Sequence, residues 1–430
     1  MTIKPKVGFV GMSHLGLNYA VATAKKNFQV FCYDDSKLII DTLSQKKSPV
    51  FEKDLEKNIK FNFHKMKFSN DLDKLISCNV VYISQDVNTN KNGESNLFNT
   101  KKLINKTINF LNKKAILVIL CQVPPGFCRS INWPKNQLYY QVETLIFGKA
   151  LERAMYPERL IIGSNLKGTV IKKPYLCLLK SFKCPLVQMN YESAELAKIS
   201  INMYLISTVT TTNILSEVCE KIGGDWKDIS ASLKLDKRIG KYAYLNPGLG
   251  ISGGNLERDL YTLNKLQISN NLNNRFILEL KNKSINRKKW IFNSLIKIKK
   301  KIKFKRISIL GLAYKEGTHS IKNSPAIYLI KKLPNYKIKV FDPVVKKINI
   351  SSKNLEFCKN SYNTIKNCDI LIIATPWIIF KKINPFFLKK NIKKKILIDP
   401  YGVYNTNKLS KINIHHITMG KMGNVKKKFL

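Results

Sequence analysis

The chain has 430 residues, which at about 100–200 residues per domain leaves room for two or three domains with cores of their own. Its 44% apolar and 10% aromatic content excludes wholesale disorder. Seventy-five basic against 28 acidic side chains give a formal charge of +47. Lysine, asparagine and isoleucine nevertheless crowd every region, including the expected surface turn at 389–395, so the charge reads as a solvated face and nucleic-acid binding is not the expected primary function.

A short apolar strand is expected at 6–10, a glycine-bearing turn at 11–16, a helix at 17–25 and a second strand at 30–33, closed by Asp34 and Asp35. Near-continuous apolar runs at 80–83, 115–120 and 161–162 suit parallel strands covered on both faces. Between 193 and 271 the character changes. Leu196, Ile199, Met203, Ile206, Val209, Ile214, Leu215 and Val218 recur at three- and four-residue spacings on one long helix, which Gly223 and Gly224 end. A helix of that length needs partners on more than one face, as a spine between domains has. A glycine-rich loop, 247–255, follows. In the lysine-rich stretch 281–306, Trp290, Phe292 and Leu295 favour an amphipathic connecting helix. Strands at 307–310, 337–341, 370–374 and 395–398, with a turn at Gly311 and a helix from about Ser324, make a second α/β domain. The expected fold class is α/β: two doubly wound Rossmann-like domains joined by a long central helix and helical region, divided at 1–188, 189–300 and 301–430. A cleft between such domains is the expected place for an active site.

No two of the nine cysteines stand at CxxC spacing, and none has a histidine close enough in sequence to suggest a zinc module, so no metal is expected. The cysteines read as small apolar residues of a reducing compartment. The run 115–120 meets Pro124, Pro125 and Gly126 well short of a membrane span, and the first six residues lack a signal-peptide core. A cytoplasmic protein without membrane insertion is the expectation.

The first turn reads Gly11-Met12-Ser13-His14-Leu15-Gly16. A Rossmann turn uses glycine at the first, third and last places for the tight turn, the approach of pyrophosphate and helix–sheet packing. Ser13 departs at the third, though its hydroxyl is placed to meet a phosphate. Asp34 stands where a ribose diol acceptor belongs, and its charge favours NAD over the 2′-phosphate of NADP. Val123-Pro124-Pro125-Gly126 stiffens a strand exit, as the rim of a cofactor site or as a rigid turn alone. Lys198 and Asn202, four apart on the long helix, share a face. An ammonium and an amide there can hold an alcohol oxygen as its proton leaves, although a solvated face explains them equally well.

These segments, together with Glu143, Pro157-Glu158-Arg159, Glu195-Leu196-Ala197-Lys198, Asn213, Arg238-Ile239-Gly240, Pro247-Gly248-Leu249-Gly250, Asp259, Gly311 to Lys315, Ser324-Pro325-Ala326 and Asp342-Pro343, resemble the UDP-glucose/GDP-mannose dehydrogenase family over nearly the whole chain. The resemblance implies an NAD-dependent oxidation of a nucleotide-sugar hydroxyl, of the UDP-glucose 6-dehydrogenase kind used in polysaccharide biosynthesis. It implies cofactor contacts from Gly11, Ser13, His14, Leu15, Gly16, Asp34, Val123 and Pro124, and catalytic roles for Glu143, Lys198, Asn202 and Asp259. Substrate contacts would come from Arg238, Gly253, Tyr314 and Lys315, with Arg238 reaching a neighbouring subunit of a homodimer or larger assembly.

One departure bears on the chemistry. The family's cysteine, which attacks the aldehyde before the second hydride leaves, is replaced by Asn255, and a carboxamide is neither an ionisable nucleophile nor a leaving group. Three outcomes stay open: one hydride transfer with release of a carbonyl product, oxidation of a hydrated aldehyde through Glu143, Lys198 and Asp259, or nucleotide-sugar binding without catalysis. Arg258 stands where the family has lysine, and the paired aspartates and arginine expected after Lys315 are replaced by His319, Ser320 and Lys322. Crowded lysines repel one another through solvent, so thermal stability is expected to rise as salt increases from about 0.02 to 0.3 M, where the screening length shrinks below the spacing of surface charges. A melting curve at each concentration checks this.

Overall fold

The computed structural model describes residues 4–90, 93–350 and 352–422. The chain forms two compact units, Met1–Ile201 and Asn202–Leu430, with the boundary inside one continuous helix, Tyr191–Ile222.

In the first unit the strands are β1 (Val7–Val10), β2 (Val30–Tyr33), β3 (Met66–Ser69), β4 (Val80–Ile83), β5 (Ile116–Ile119), β6 (Leu138–Gln141), β7 (Leu160–Ser164) and β8 (Leu186–Asn190). Among the described residues they make one sheet in the order β3-β2-β1-β4-β5-β6-β7-β8. Every pairing is parallel except β6 with β7. Alternate residues feed opposite faces. Phe9, Tyr82 and Val118 pack in one buried cluster, Val10, Ile83 and Ile119 in another. That two-sided burial is why these strands read as unbroken apolar runs.

The second unit repeats the plan. Its strands β9 (Arg306–Leu310), β10 (Lys337–Phe341), β11 (Leu355–Phe357), β12 (Cys368–Ile373), β13 (Ile392–Ile398) and β14 (His415–Ile417) are parallel in the order β11-β10-β9-β12-β13-β14. Ile307, Val340 and Ile372 face one cluster, Leu310, Leu371 and Leu397 the other. Each sheet thus has the strand order of a dinucleotide-binding fold, with the crossover point beside its first strand.

Between these sheets in sequence lie the helices Trp226–Leu235, Asn255–Ser269, Arg275–Lys288 and Trp290–Lys299. The expected connecting helix is therefore two, parted at Lys289, with Ile291 and Leu295 of the second buried. Gly223, at φ 83°, ends the long helix. The first helix, His14–Lys25, starts three residues earlier than its apolar pattern suggests because Ser13 is already extended at its head.

The expected surface turn at 389–395 is corrected. Asn384 caps the helix Pro385–Asn391 by accepting the Phe386 N–H, and β13 begins at once with buried Ile392. Two residues of β12 then span four of β13, with Lys395 at φ 53°. This bulge turns lysines outward inside a strand, so their charge mimics a loop in the sequence.

A Cβ on Gly16 would lie 1.9 Å from the Gly11 carbonyl oxygen, whereas one on Gly126, at φ +89°, would meet nothing within 4 Å. Gly16→Ala is expected to cost about 3 kcal/mol because backbone must move, and Gly126→Ala about 1 kcal/mol from the left-handed dihedral alone. Chemical denaturation of both variants checks the order.

Candidate active site

The first strand of each unit ends in a glycine of positive φ, Gly11 at 97° and Gly311 at 93°. Each following segment is caught by a carboxylate from the end of the next strand. Asp34 Oδ2 accepts the Met12 N–H at 2.8 Å and its Oδ1 accepts the Ser36 N–H at 2.9 Å. Asp342 Oδ2 accepts the N–H groups of Leu312 at 2.7 Å and Ala313 at 3.0 Å. The turn at 11–16 opens directly onto the helix His14–Lys25, whose N-terminal dipole end favours negative charge. The bare backbone required at Gly16, with Asp34 at the strand end, fits the dinucleotide NAD.

Ser13 ties the turn to the exit of β4. Its hydroxyl donates to the Ser84 carbonyl at 3.2 Å and accepts the Asp86 N–H at 2.9 Å. Leu15 N–H points to Asp86 Oδ2 at 3.4 Å. His14 stacks on Phe147, with ring centroids 4.2 Å apart, and bonds Glu52 Oε2 at 2.8 Å. Glu52 also accepts the N–H groups of Gly148 at 3.0 Å and Ala150 at 3.2 Å. Burial alone would raise its pKa. The bonds from His14, Gly148 and Ala150 outweigh that and hold it below the ordinary value of 4.5.

Val123 is buried and Pro124 half-buried at the exit from β5. The loop they begin is fixed by Glu195 of the long helix, which accepts the Gly126 N–H at 2.6 Å and the Cys128 N–H at 2.8 Å. Burial pushes the Glu195 carboxyl up, against the pull of those two donors. One turn along the helix, Lys198 Nζ meets Glu143 Oε1 at 2.7 Å, both side chains at most 10% exposed. Glu143 Oε2 accepts the Leu145 N–H at 2.9 Å. The first unit therefore brings together the predicted Lys198 and Glu143.

In the second unit Asn202 donates its amide N–H to Asp259 Oδ2, and both residues are buried. Arg258 Nε lies 3.6 Å from Asp259 Oδ1, an ion pair wider than a hydrogen bond. Asn255 is exposed at the first position of the helix Asn255–Ser269, directly after Gly253 and Gly254. The loop before it is held from three sides: Asn213 Oδ1 accepts the Gly248 N–H at 2.8 Å, Ser284 Oγ accepts the Ile251 N–H at 2.7 Å, and the Lys322 carbonyl accepts the Gly253 N–H at 3.0 Å. A Cβ on Gly253 would press the Tyr314 ring at 3.0 Å. Burial pushes the Tyr314 hydroxyl up to about 12, and Lys315 Nζ sits 5.9 Å from that ring's centre. Arg238 stands apart, with its side chain 89% exposed and held by Asp236 at 2.6 Å.

Glu52, Asp86 and the clamping role of Glu195 escaped sequence reasoning. Glu195 was visible within a family segment. Glu52 and Asp86 sit in loops whose partners are distant in sequence, and no local pattern marks them. Among the described residues, no group of three or more His, Cys, Asp or Glu side chains is arranged to hold a metal ion, and no helix is long and apolar enough to cross a membrane.

Three family models match in chain order, each described under the UDP-glucose/GDP-mannose dehydrogenase family: its NAD binding domain at 5–174, its central domain at 192–287 and its UDP binding domain at 308–406. A UDP-glucose 6-dehydrogenase of Rickettsia conorii is 30% identical, over 96% of this chain and 99% of its own. UDP-glucose 6-dehydrogenase TuaD of Bacillus subtilis is 25% identical, over 97% and 93%. Among solved structures, a UDP-glucose dehydrogenase from the hyperthermophilic archaeon Pyrobaculum islandicum superposes with a TM-score of 0.85 over 97% of each chain at 18% identity, a likeness of fold. The chain belongs to the UDP-glucose/GDP-mannose dehydrogenase family. It is an oxidoreductase, an NAD-dependent nucleotide-sugar dehydrogenase.

Because Glu52 is held ionised in the folded state, the stability it contributes is complete above its ordinary value of 4.5 and is lost as pH falls through the lower folded value. Glu52→Gln is expected to flatten that acid limb while lowering stability at neutral pH by about 1–3 kcal/mol, since a buried partner of three donors is lost. Denaturation midpoints of both proteins across the acid range measure it.

Proposed function

We propose that the chain oxidises the sugar hydroxyl of a UDP-sugar, UDP-glucose first among those to test, and releases the carbonyl product after one hydride transfer. NAD supplies the hydride acceptor. Lys198 and Asn202 hold the reacting oxygen, and Asp259, directly or through water, takes the proton that leaves as the C–H bond is broken. Glu143 keeps the Lys198 ammonium in place between turnovers. The carrying observation is Asn255 at the first position of its helix, after Gly254. A helix N-terminus lowers a thiol's pKa and readies it for attack, but an amide gains no nucleophilicity there. The named relatives and the UDP binding domain support the choice of UDP-sugar.

The rest of the proposal concerns assembly and setting. Tyr204, Ile214, Leu215, Val218 and Ile222 are each more than 40% exposed on the long helix, an apolar face that suits a second copy of the chain. A homodimer or larger assembly would also give the outward Arg238 a partner subunit to reach. A cytoplasmic setting accords with cysteines that form no disulfide among the described residues. The tripartite division at 1–188, 189–300 and 301–430 stands as a reading of role, with the middle part serving assembly and catalysis.

Stoichiometry tests the proposal. With purified protein, one NADH and one carbonyl product are expected per UDP-sugar consumed. Asn255→Cys is expected to move that ratio toward two NADH and an acid. Two NADH and an acid from the parent protein would sink the one-step reading in favour of a hydrated-aldehyde route, and saturable UDP-sugar binding without NAD reduction would make the chain a binding protein.

A further inference from the structure

Within the first unit, an acidic side chain lies against the head of the helix His14–Lys25. Asp86 follows β4, and its Oδ2 is the acceptor nearest the Leu15 N–H, at 3.4 Å. Leu15 is in the first turn of the helix His14–Lys25, so its N–H is among the donors that a helix leaves without an intrahelical partner. A pyrophosphate at such a turn competes for the same donor and the same positive end of the dipole.

Ser13 sets Asp86 in that position. Its hydroxyl accepts the Asp86 N–H at 2.9 Å and donates to the Ser84 carbonyl at 3.2 Å, tying the exit of β4 to the turn. Two departures from the dinucleotide pattern, serine in place of the middle glycine and a carboxylate at the neighbouring strand exit, thus form one linked device. The tie is made through backbone, while the Asp86 side chain is exposed. The carboxylate has the Leu15 N–H at 3.4 Å and the Ser13 hydroxyl as partners, with His14 nearby, while desolvation by the surrounding protein pushes its pKa above the ordinary value; turning into solvent breaks those bonds and relieves that desolvation. Nearby Glu52 cannot take this part, because it is buried and held by His14, Gly148 and Ala150. Asp34 is likewise committed to Met12 and Ser36.

We infer that Asp86 competes with the cofactor: its carboxylate takes the Leu15 N–H at the head of the helix and must swing away when NAD binds there, so that this residue sets cofactor affinity. The inference rests on NAD binding by this unit and is independent of the sugar or the number of hydrides transferred.

The test measures the Kd for NAD by calorimetry with the full chain. Asp86→Asn keeps the shape and removes the charge. Affinity is expected to rise about threefold to tenfold at low salt, with the gain shrinking as salt screens the repulsion between carboxylate and pyrophosphate. Ser13→Gly, which frees the exit of β4, is expected to tighten binding less, and the double variant no more than Asp86→Asn alone. Melting temperatures separate affinity from folding. If Asp86→Asn melts as the parent does and binds NAD equally or more weakly, the inference is overturned while the dehydrogenase reading stands. A variant that both melts lower and binds more weakly overturns it too, by making Asp86 a support for the loop.

Discussion

The strand-end turn of each unit rests on one constraint: past its first parallel strand the chain must turn sharply into backbone that has left the sheet ladder while still buried, and a carboxylate from the next strand must satisfy the donors so created. Asp34 does this for Met12 and Asp342 for Leu312 and Ala313. Glycine supplies the positive φ in both turns, and a Cβ there would crowd Gln85 in the first and Thr375 in the second. The same arrangement recurs some three hundred residues apart because the strand order recurs. In a doubly wound sheet the crossover beside the first strand is where backbone donors gather. Asp342 is further enclosed than Asp34, accepting the Trp377 indole N–H at 3.1 Å as well, whereas Asp34 is only half-buried. The second turn is thereby fastened as structure, and the first keeps a carboxylate within reach of solvent.

Buried charge follows a similar rule. Lys198 would be costly to enclose alone, since the desolvation of an isolated ion far exceeds what packing returns. Glu143 removes that cost at 2.7 Å and is itself oriented by the Leu145 N–H. Asp259 is enclosed to 1% exposure and draws on the Asn202 amide. Lys198 and Asn202, which look in sequence like a matched pair, each answer to a different carboxylate in a different unit. The sequence pattern correctly put them on one helical face one turn apart. It had no means of supplying their partners, because Glu143 and Asp259 are 55 and 57 residues away, respectively.

Legibility followed burial. β2, β4 and β10 coincide with their expected bounds: the first two are apolar runs shut in on two faces, and β10 buries Ile338 and Val340 at alternate places. β3, β8, β11 and β14 drew no expectation. β8 is half-exposed throughout, and β11 and β14 have three residues each at or beside a sheet edge, so their sequences carry little of the apolar signal on which strand reading depends. β6, with its two tyrosines, was buried yet passed unnoticed because their hydroxyl-bearing rings interrupt an aliphatic pattern. Lys393 and Lys394 misled for the opposite reason: the bulge in β13 lets exposed lysines sit inside a strand. In the candidate site, backbone-binding motifs were legible and side-chain partners were not. Ser13 shows the difference, since its presence in the turn was plain while its hydrogen bonds to Ser84 and Asp86 depend on a strand seventy residues on.

The loop before Asn255 separates two properties that a motif fuses. Its course is set by Asn213, Ser284 and the Lys322 carbonyl, which grip Gly248, Ile251 and Gly253, and none of these bonds involves the side chain at 255. Substitution there leaves the loop's supports, the helix start and the close contact between Gly253 and Tyr314 as they are. The loop's shape is therefore independent of the side chain at 255. By the same reasoning Lys198 and Asn202 keep their places whatever stands at 255, because Lys198 is held by Glu143 in the first unit and Asn202 by Asp259, on the helix after that loop.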